Sequence, residues 1–485
     1  MRRFLGSSLA VGAIAIAVAS FGFTSVSRAA DTDGYVKVTS VDVGKHAITC
    51  FGHDVSNFTF DISWVNEARG EYLLAESSHG NPSSDTEGGL LSGATDGDVL
   101  LIHTDNTAAG PTFIKPPRND PFAGRRCDVN VDFGGVPGNP SRNEISGPNG
   151  LFTVNDIEVW VGDGPSRFVP GQTDSASDYI TDPCDSSVRV FSLLTRQQTD
   201  HINVHGCFRT DEGAFDPVDQ VALFANPSEQ PTVAGINHNA RAVAHSSFIT
   251  LISTVANGDG DEHANEGHGH HKILKQINFD GKNGTINANA GIEQAVYVRQ
   301  TGKFYIAIPG TLEDGDDGFL AVVDPVALEV VANIPLPGCA PTGNALGPNE
   351  TLILGCGPAH AYDIKTGTLT TITGAPGAPA CDEVAYDAGS GHFGSACITF
   401  TSAGKFDLLL SDAHTLTFDA DLGGAPPAGV NAGASGAHSV TADSETATFW
   451  LPAYQPPNQA SGPCSGPDHA CVAVYGGDQS DASGD

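Results

Sequence analysis

Short runs of apolar residues alternate with polar residues along most of the chain, and turn residues separate the runs. The runs are rich in Val, Ile, Phe, Tyr and Thr, and the 485 residues include 58 Gly and 30 Pro. Alternation with a period of two is typical of β-strands, whereas helical periodicity is almost absent. The pattern therefore predicts an all-β chain.

A unit of two alternating strands joined by a turn recurs seven times. Most copies are followed by a third and a fourth strand, as in 319–325 and 328–331, which an Asp-Pro turn joins. Seven units of four short antiparallel strands predict a seven-bladed β-propeller. The first strands of the seven copies are 60–65, 148–152, 211–215, 292–297, 342–346, 382–386 and 437–440.

The two ends of the repeat region predict how the propeller closes. The last copy has only three strands, the third at 471–475, and residues 35–39 can supply its outer strand. Pairing the first strand with the last blade removes open sheet edges. We expect the propeller to span 31–477 and residues 478–485 to form a disordered polar tail.

The first thirty residues resemble a secretory signal. Arg2 and Arg3 precede an apolar run at 9–23, and small residues lead to Ala30. This order predicts a Sec-type signal peptide at 1–30 and a periplasmic or secreted protein. No run is long enough to cross a membrane, which takes roughly 20 apolar residues, so we expect no membrane insertion.

Ten cysteines follow this segment, and their even number predicts disulfide bonds in an oxidising compartment. The spacing within the repeats suggests pairs that close individual hairpins. The predicted pairs are Cys184–Cys207, Cys339–Cys356, Cys381–Cys397, Cys464–Cys471 and Cys50–Cys127.

The formal net charge of −34 excludes nucleic acid and anionic membranes as partners. The same charge is compatible with an acidic solvated surface and with attraction of cations. We expect a monomer with a small-molecule or glycan substrate. No Gly-x-Ser-x-Gly elbow indicates a serine hydrolase.

One position of the repeat is polar or ionisable in six of the seven copies. Aligned first strands place Asp61, Asn149, Glu212, Glu293, Gly343, Glu383 and His438 at the same point. In a propeller this point faces the central channel. The metal-ligand hypothesis names Asp61, Asn149, Glu212, Glu293 and His438, and the catalytic hypothesis names His438, Glu383 and Glu212.

Carboxylates packed together raise one another's pKa, and a divalent cation relieves their repulsion. Oxygen-rich ligands with one imidazole suit calcium, manganese or zinc. A merely hydrated channel accounts for the same polar ring, so both interpretations stay open.

The blade rhythm resembles the secreted YVTN-type and gluconolactonase-like (SMP-30-like) β-propeller superfamilies over the whole exported part. Gluconolactonase-like propellers hold a divalent metal on their axis with carboxylate and amide ligands. Asp61, Asn149, Glu212 and Glu293 match those residue types, but seven predicted blades instead of six prevent transfer of individual roles. The resemblance implies a metal-assisted hydrolase, lactonase-like, or a lyase. A non-catalytic binding or scaffold propeller is the alternative.

A histidine-rich loop at 259–271 interrupts the third copy between two apolar strands. Imidazoles and carboxylates on a flexible segment can collect zinc, copper or nickel, which gives a third hypothesis of extracellular metal capture. A tolerated hairpin insertion is the structural explanation. The candidate ligands are His263, His268, His270 and His271. The three tryptophans, Trp64, Trp160 and Trp450, are expected in the blade core.

Overall fold

The computed structural model describes residues 34–44, 48–50, 53–55, 60–77, 97–117, 120–123, 147–165, 184–227, 246–256, 270–289, 291–310, 317–357, 359–374, 380–399, 405–422, 438–455, 464 and 469–477. Strands dominate this part of the chain. Single-turn 3₁₀ helices occur at Glu67–Arg69, Thr107–Ala109 and Pro348–Glu350. The all-β prediction is confirmed.

Seven four-stranded antiparallel sheets form the blades of a propeller, as predicted. In chain order the strands before the first complete blade are β1 (Tyr35–Gly44), β2 (Ile48–Cys50) and β3 (His53–Val55). Blades 1 to 3 comprise β4 (Phe60–Asn66), β5 (Glu71–Glu76), β6 (Asp98–His103) and β7 (Thr112–Ile114); β8 (Leu151–Val154), β9 (Glu158–Asp163), β10 (Ser186–Ser192) and β11 (Gln198–Gly206); and β12 (Gly213–Asp216), β13 (Val221–Asn226), β14 (Phe248–Ser253) and β15 (Ile273–Asn278).

Blades 4 to 6 have the same four-stranded order, and blade 7 takes its outer strand from β1. The strands of these blades are β16 (Ala295–Val298), β17 (Lys303–Ile308), β18 (Gly318–Asp324) and β19 (Glu329–Leu336); β20 (Gly343–Leu346), β21 (Thr351–Gly355), β22 (His360–Asp363) and β23 (Thr368–Thr371); β24 (Ala380–Asp387), β25 (His392–Thr399), β26 (Lys405–Asp412) and β27 (Thr417–Asp421); and β28 (Thr441–Asp443), β29 (Thr448–Gln455) and β30 (His469–Gly477).

The first strand of each blade lies innermost and contacts the first strand of the next blade. The contacts run in a closed cycle from β4 through β8, β12, β16, β20, β24 and β28 back to β4. Backbone hydrogen bonds join neighbouring blades at this level, from Ile62 N–H to the Asn149 carbonyl at 3.4 Å and from Gln294 N–H to the Thr342 carbonyl at 3.3 Å. The seven inner strands therefore enclose one channel.

The ring closes in blade 7, as the sequence predicts. Strand β1 pairs antiparallel with β30, in a register that runs from Tyr35 opposite Gly477 to Gly44 opposite Ala470. Stacking of Trp450 on Tyr72, with ring centres 5.3 Å apart, packs blade 7 against blade 1. The closing strand is longer than the predicted 35–39, since the pairing continues to Gly44.

Large apolar side chains fill the spaces between blades. Trp160 and Trp450 are buried there, which confirms the prediction for both. The same prediction is wrong for Trp64, whose side chain is 37% exposed. Trp64 is the one exposed residue of β4, and its indole ring lies against Phe152 and Thr153 of the neighbouring blade 2.

Four of the five predicted disulfides are confirmed: Cys184–Cys207, Cys339–Cys356, Cys381–Cys397 and Cys464–Cys471. Cys381 and Cys397 lie directly opposite each other on β24 and β25, so this bond links the first two strands of blade 6. The fifth predicted pair involves Cys127, which lies outside the described residues. These bonds are what an oxidising environment permits.

Aspartates at the turns between strands account for part of the acidic composition. Asp324 Oδ1 accepts the backbone N–H groups of Val326 and Ala327 at 2.9 and 3.0 Å. These hydrogen bonds favour the charged carboxylate, and they lower the pKa of Asp324. Equivalent bonds to backbone N–H groups form at Asp216, Asp363, Asp412 and Asp443.

Two predicted segments, the signal peptide at 1–30 and the tail at 478–485, lie outside the described residues. Both stay predictions. In the part of the chain that the structure describes, no helix has the length and apolar character that a bilayer span requires.

Glycine allows two blades to approach each other closely beside the channel. A Cβ atom on Gly150 of blade 2 would lie 2.0 Å from the carbonyl oxygen of Asp211 and 2.6 Å from the Glu212 nitrogen in blade 3. No other amino acid fits this position without displacing the backbone. Gly150 therefore fixes where the Asp211–Glu212 segment meets the axis.

We expect Gly150→Ala to lower the free energy of unfolding by about 1–3 kcal/mol, because the added methyl group forces blades 2 and 3 apart. Urea denaturation monitored by circular dichroism measures this change. Gly477→Ala is the control, since a Cβ there meets nothing within 4 Å. Equal loss of stability in both variants would contradict a specific clash at Gly150.

Candidate functional site

The inner-strand starts bring most of the predicted site residues to the same end of the channel. Glu212 and Glu293 lie one and two residues before the inner strands of blades 3 and 4, and Asp61 and Glu383 lie within those of blades 1 and 6. All four side chains are buried. They form the core of what we call the axial acidic cluster, which is completed by Asp211, Asp382, Arg209 and His438.

Three carboxylates of this cluster form the tightest group. Asp211, Glu212 and Glu293 each offer one oxygen, and these oxygens all lie within 4.8 Å of one another. All three side chains are buried, and Glu212 Oε2 has no hydrogen-bond partner among the described residues. Two neighbouring blades thus direct three acidic groups to one point.

Burial raises the pKa of Glu212 well above its ordinary value, and the neighbouring charges of Asp211, Glu293 and Glu383 raise it further. Like charges at short range in a desolvated site cannot all ionise cheaply. The raised pKa therefore favours the protonated form of this carboxyl group relative to a solvent-exposed glutamate.

His438 lies between two aspartates instead of pointing to the three-carboxylate group. Its Nε2 is 2.5 Å from Asp61 Oδ1, and its Nδ1 contacts Asp382 Oδ2. Burial alone would lower the pKa of His438, but the charges and hydrogen bonds of Asp382 and Asp61 hold it well above its ordinary value. The charged imidazolium form is therefore favoured, and both ring nitrogens are engaged by aspartate oxygens, which leaves neither of them for a metal or for proton abstraction in this arrangement.

A chain of hydroxyl groups connects Glu383 to the middle of the channel. Ser439 Oγ donates to Glu383 Oε2 at 2.6 Å and accepts the backbone N–H of Ser63 at 2.8 Å. Burial raises the pKa of Glu383 well above its ordinary value, although the Ser439 hydrogen bond and the His438 charge oppose this rise. Glu383 is thus held in place from blade 7.

Several members of the cluster were not among the predicted site residues. Arg209 Nε contacts Asp211 Oδ2 and adds a positive charge to the site. Arg209 lies before the aligned first strand of blade 3, at a position that does not belong to the repeat. Asp382 was not among the predicted site residues either, although it directly precedes Glu383 in the sequence.

The remaining aligned positions have structural roles. The Asn149 carbonyl accepts the inter-blade bond from Ile62, and its side chain is buried. In blade 5 a Cβ on Gly343 would meet the Asp382 carbonyl oxygen at 2.1 Å, so this glycine permits the same close approach as Gly150. Thr342 Oγ1 donates to the Cys381 carbonyl and thereby joins blades 5 and 6.

Beyond the cluster the channel widens into a cavity of about 780 Å³, to which all seven blades contribute. We call this cavity the funnel. Residues towards the C-terminal ends of the inner strands line it, and Ser63 lies where the funnel meets the hydroxyl chain. The aromatic side chains in its wall are Trp64, Phe215, Tyr297 and Tyr386.

The histidine-rich loop lies between β14 and β15 of blade 3, where the sequence places it. His263 and His268 lie outside the described residues, and His270 is exposed. His271 Nδ1 bonds to Asp200 Oδ2 at 2.7 Å, and its ring packs edge-on against Trp160 at 4.7 Å. His271 thus anchors the end of the loop to blade 2.

A second group of metal-ligand types lies in blade 5, where His360 Nδ1 is 3.5 Å from Cys356 Sγ. Cys356 forms a disulfide with Cys339. Because metal binding at cysteine requires a thiolate, this group is a structural element and not a metal site.

Comparisons with known proteins concern the fold. No family model matches this chain, and no curated protein matches it. A chain in "Crystal Structure of Mitotic Checkpoint Complex" is similar over 98% of this chain and 98% of that chain, with 9% identity and a TM-score of 0.48. The beta-propeller domain of Myceliophteria thermophila Cps50 (Swd1) is similar over 91% of this chain and 99% of that chain, with 10% identity and a TM-score of 0.47.

The fold is a seven-bladed β-propeller. At such low identity, the similar structures say nothing about chemistry. The narrower resemblance to the YVTN-type and gluconolactonase-like superfamilies receives no support from the family or curated comparisons.

We expect His438→Gln to destabilise the protein by about 2 kcal/mol near pH 6, because the buried Asp61 and the partly buried Asp382 lose their positive partner. The raised folded pKa of His438 stabilises the fold fully below its unfolded pKa of about 6.5. This contribution declines as the pH rises through the folded pKa, so the difference between wild type and variant should shrink above pH 6.5.

At acidic pH, the stabilisation by this ion pair is limited by the titration of Asp61, whose pKa is lowered in the folded protein. Burial opposes this lowering, but the charge and hydrogen bond of His438 outweigh it. The Asp61 contribution is present above the unfolded pKa of about 3.9 and is lost as the pH falls through the folded value. Urea denaturation in EDTA from pH 4 to 9 tests the profile, with exposed His414→Gln as control. A difference in stability between wild type and His438→Gln that does not depend on pH would argue against the ion triad of Asp61, His438 and Asp382.

Proposed function

We propose that this protein is an exported propeller that binds a divalent cation in its channel, with Asp211, Glu212 and Glu293 as ligands. The observation that carries the proposal is the convergence of three buried carboxylate oxygens within 4.8 Å of one another. The four disulfides support export, since such bonds persist in oxidising compartments.

The spacing of the three oxygens suits a hard cation. Calcium binds protein oxygens at about 2.4 Å, so two ligands on opposite sides of the ion lie about 4.8 Å apart. The carboxylates of Asp211, Glu212 and Glu293 can therefore share one such ion with small side-chain adjustments. An oxygen-only group favours calcium, magnesium or manganese over zinc, which takes imidazole and thiolate readily.

Electrostatics supports the same proposal. The axial acidic cluster contains six carboxyl groups, Asp61, Asp211, Glu212, Glu293, Asp382 and Glu383, and two cationic side chains, Arg209 and His438. Arg209 lies against Asp211, and His438 lies between Asp61 and Asp382. With all eight groups ionised, the cluster has four more negative than positive charges, and a divalent ion would compensate part of this excess.

The ligand set of this proposal is narrower than the one predicted from the aligned strand starts. Glu212 and Glu293 remain, and Asp211 joins them. Asp61, His438 and Asp382 form the ion triad, which supplies charge balance beside the site. A bound cation would supply Lewis acidity, and in this arrangement Glu383 is the carboxyl group that can hold or release a proton. A hydrolase or lyase reaction would have to use Glu383 and not His438.

We expect Glu212→Gln to act in opposite directions with and without metal. In EDTA the variant should melt at a higher temperature than wild type at neutral pH, because a buried carboxyl group with a raised pKa is replaced by a neutral amide. In calcium or manganese the wild type should gain about 2.7 kcal/mol at a hundredfold excess over Kd, and the variant should gain almost nothing.

Thermal melts in EDTA, calcium, manganese and zinc, combined with elemental analysis of untagged protein, measure both effects. Glu329→Gln is the matched control, since Glu329 is exposed on β19. Metal-dependent stabilisation of Glu212→Gln equal to that of wild type would remove the proposed site. Deletion of 259–269 tests the histidine-rich loop separately, and retention of calcium binding in that deletion is expected.

Cation binding should release protons and strengthen as the pH rises from 5 to 8, because the metal competes with the proton on Glu212. Calorimetric titration of calcium in two buffers with different ionisation enthalpies measures the number of protons released. Binding that is independent of pH would show that the ion does not occupy the group with the raised pKa.

A further inference from the structure

The funnel has the dimensions of a small-molecule site. Its volume of about 780 Å³ lies within the range of ligand cavities, roughly 300–1,000 Å³. Residues of all seven inner strands line it, so its shape is fixed by the ring and not by a single loop. It also uses different side chains from the three-carboxylate group.

Aromatic side chains in the wall are held by rings in the blades behind them. Trp64 packs against Phe152 at 6.4 Å between ring centres, and Trp64 Nε1 donates to Thr153 Oγ1 at 3.1 Å. Tyr386 packs against Phe393 at 4.9 Å. Tyr297 packs on its own blade in the same way. These rings are therefore pre-positioned, although Trp64 keeps 37% of its surface exposed.

The charge of the funnel is negative. Among the described residues, its lining contains no lysine, arginine or histidine, and it contains Glu67 and Asp156. Both acids are exposed, and both follow inner-strand residues on adjacent blades. The formal charge of the whole chain, −34, has the same sign. Such a field concentrates cations and disfavours anions.

Aromatic faces in a negative cavity match one class of ligand. The π face of Trp or Tyr attracts a cation within about 6 Å of the ring centre, and most strongly when water is excluded. A neutral sugar would stack on the same rings but would gain nothing from the negative field, and a carboxylate or phosphate would be repelled. The favoured ligand has a positive charge and an apolar body.

We propose that the funnel binds an organic ammonium ion, with Trp64, Phe215, Tyr297 and Tyr386 around the cationic group and Glu67 and Asp156 providing electrostatic attraction. This inference goes beyond the divalent-cation site and does not depend on it, because the two sites share none of these side chains.

The test uses three probes that have the same benzyl or phenyl ring: benzyltrimethylammonium, benzyl alcohol and benzoate. Calorimetric titration of the full chain should show the cation binding about tenfold or more tightly than the alcohol, with no detectable binding of benzoate. Fluorescence gives a second readout, since Trp160 and Trp450 are buried and the exposed Trp64 reports the funnel. Affinity should fall with added salt.

Three variants test the residues. Trp64→Leu and Tyr386→Leu should each weaken binding of benzyltrimethylammonium by about tenfold, and the Glu67→Gln/Asp156→Asn double variant should reduce the salt dependence. Phe113→Leu, in the outer strand β7 away from the funnel, is the matched control and should bind as wild type does. Melting temperatures establish that each variant is folded.

Several outcomes would overturn the inference. They are binding of benzoate or benzyl alcohol as tight as that of the cation, binding of cellobiose tighter than that of the cation, no binding of the cation at millimolar concentration, and unchanged affinity in folded Trp64→Leu and Tyr386→Leu. Titration of Glu212→Gln separates the two proposals. The Glu212→Gln variant should bind benzyltrimethylammonium with an affinity within about threefold of that of wild type, since Glu212 does not line the funnel. This holds even if calcium binding is lost or was never present.

Discussion

Backbone pairing between β1 and β30 joins the two ends of the described chain and completes blade 7. Without this pairing, blade 7 would have three strands, and the apolar cluster around Tyr72 and Trp450 would lose Val41 and Val43 of β1. The seven inner strands keep their cyclic contacts only while the ring is closed. Both candidate sites depend on this closure, because each is assembled from several blades.

Closure also explains why so many acidic groups are tolerated at one place. Four of the seven blades, blades 1, 3, 4 and 6, contribute one or two carboxyl groups near their inner-strand starts. The ring brings them together in a buried site, where Arg209 and His438 compensate only part of the charge. Protonation of Glu212 and Glu383 or binding of a cation must compensate the rest.

The sequence was sufficient to predict the features that repeat. Alternation with a period of two predicted the strands, and the seven copies of the repeat predicted the number of blades. The incomplete last copy predicted the pairing with the N-terminal strand. Hairpin spacing gave four disulfides, among them Cys381–Cys397. These features depend on local residue order and on a repeat that is visible in one chain.

Features that depend on the relation between blades could not be predicted. The partners of His438 are Asp61, nearly 400 residues earlier, and Asp382 in the preceding blade. Arg209 occupies no repeated position. Trp64 was assigned to the core because it falls in a predicted inner strand, but its side chain is 37% exposed and the residue lines the funnel. Strand phase could not have corrected this assignment, because the other six residues of β4 are buried in both phases of the alternation.

The place where β1 pairs with β30, which we call the seam, has a consequence for the order of folding. Six blades consist of consecutive strands and can form as soon as each has been synthesised, whereas blade 7 combines residues near 35 with residues near 477. A nascent chain must therefore keep its first strand unpaired until the last one emerges. A chain truncated before β30 would leave that first strand as an exposed sheet edge, so the seam makes incomplete copies recognisable to quality control.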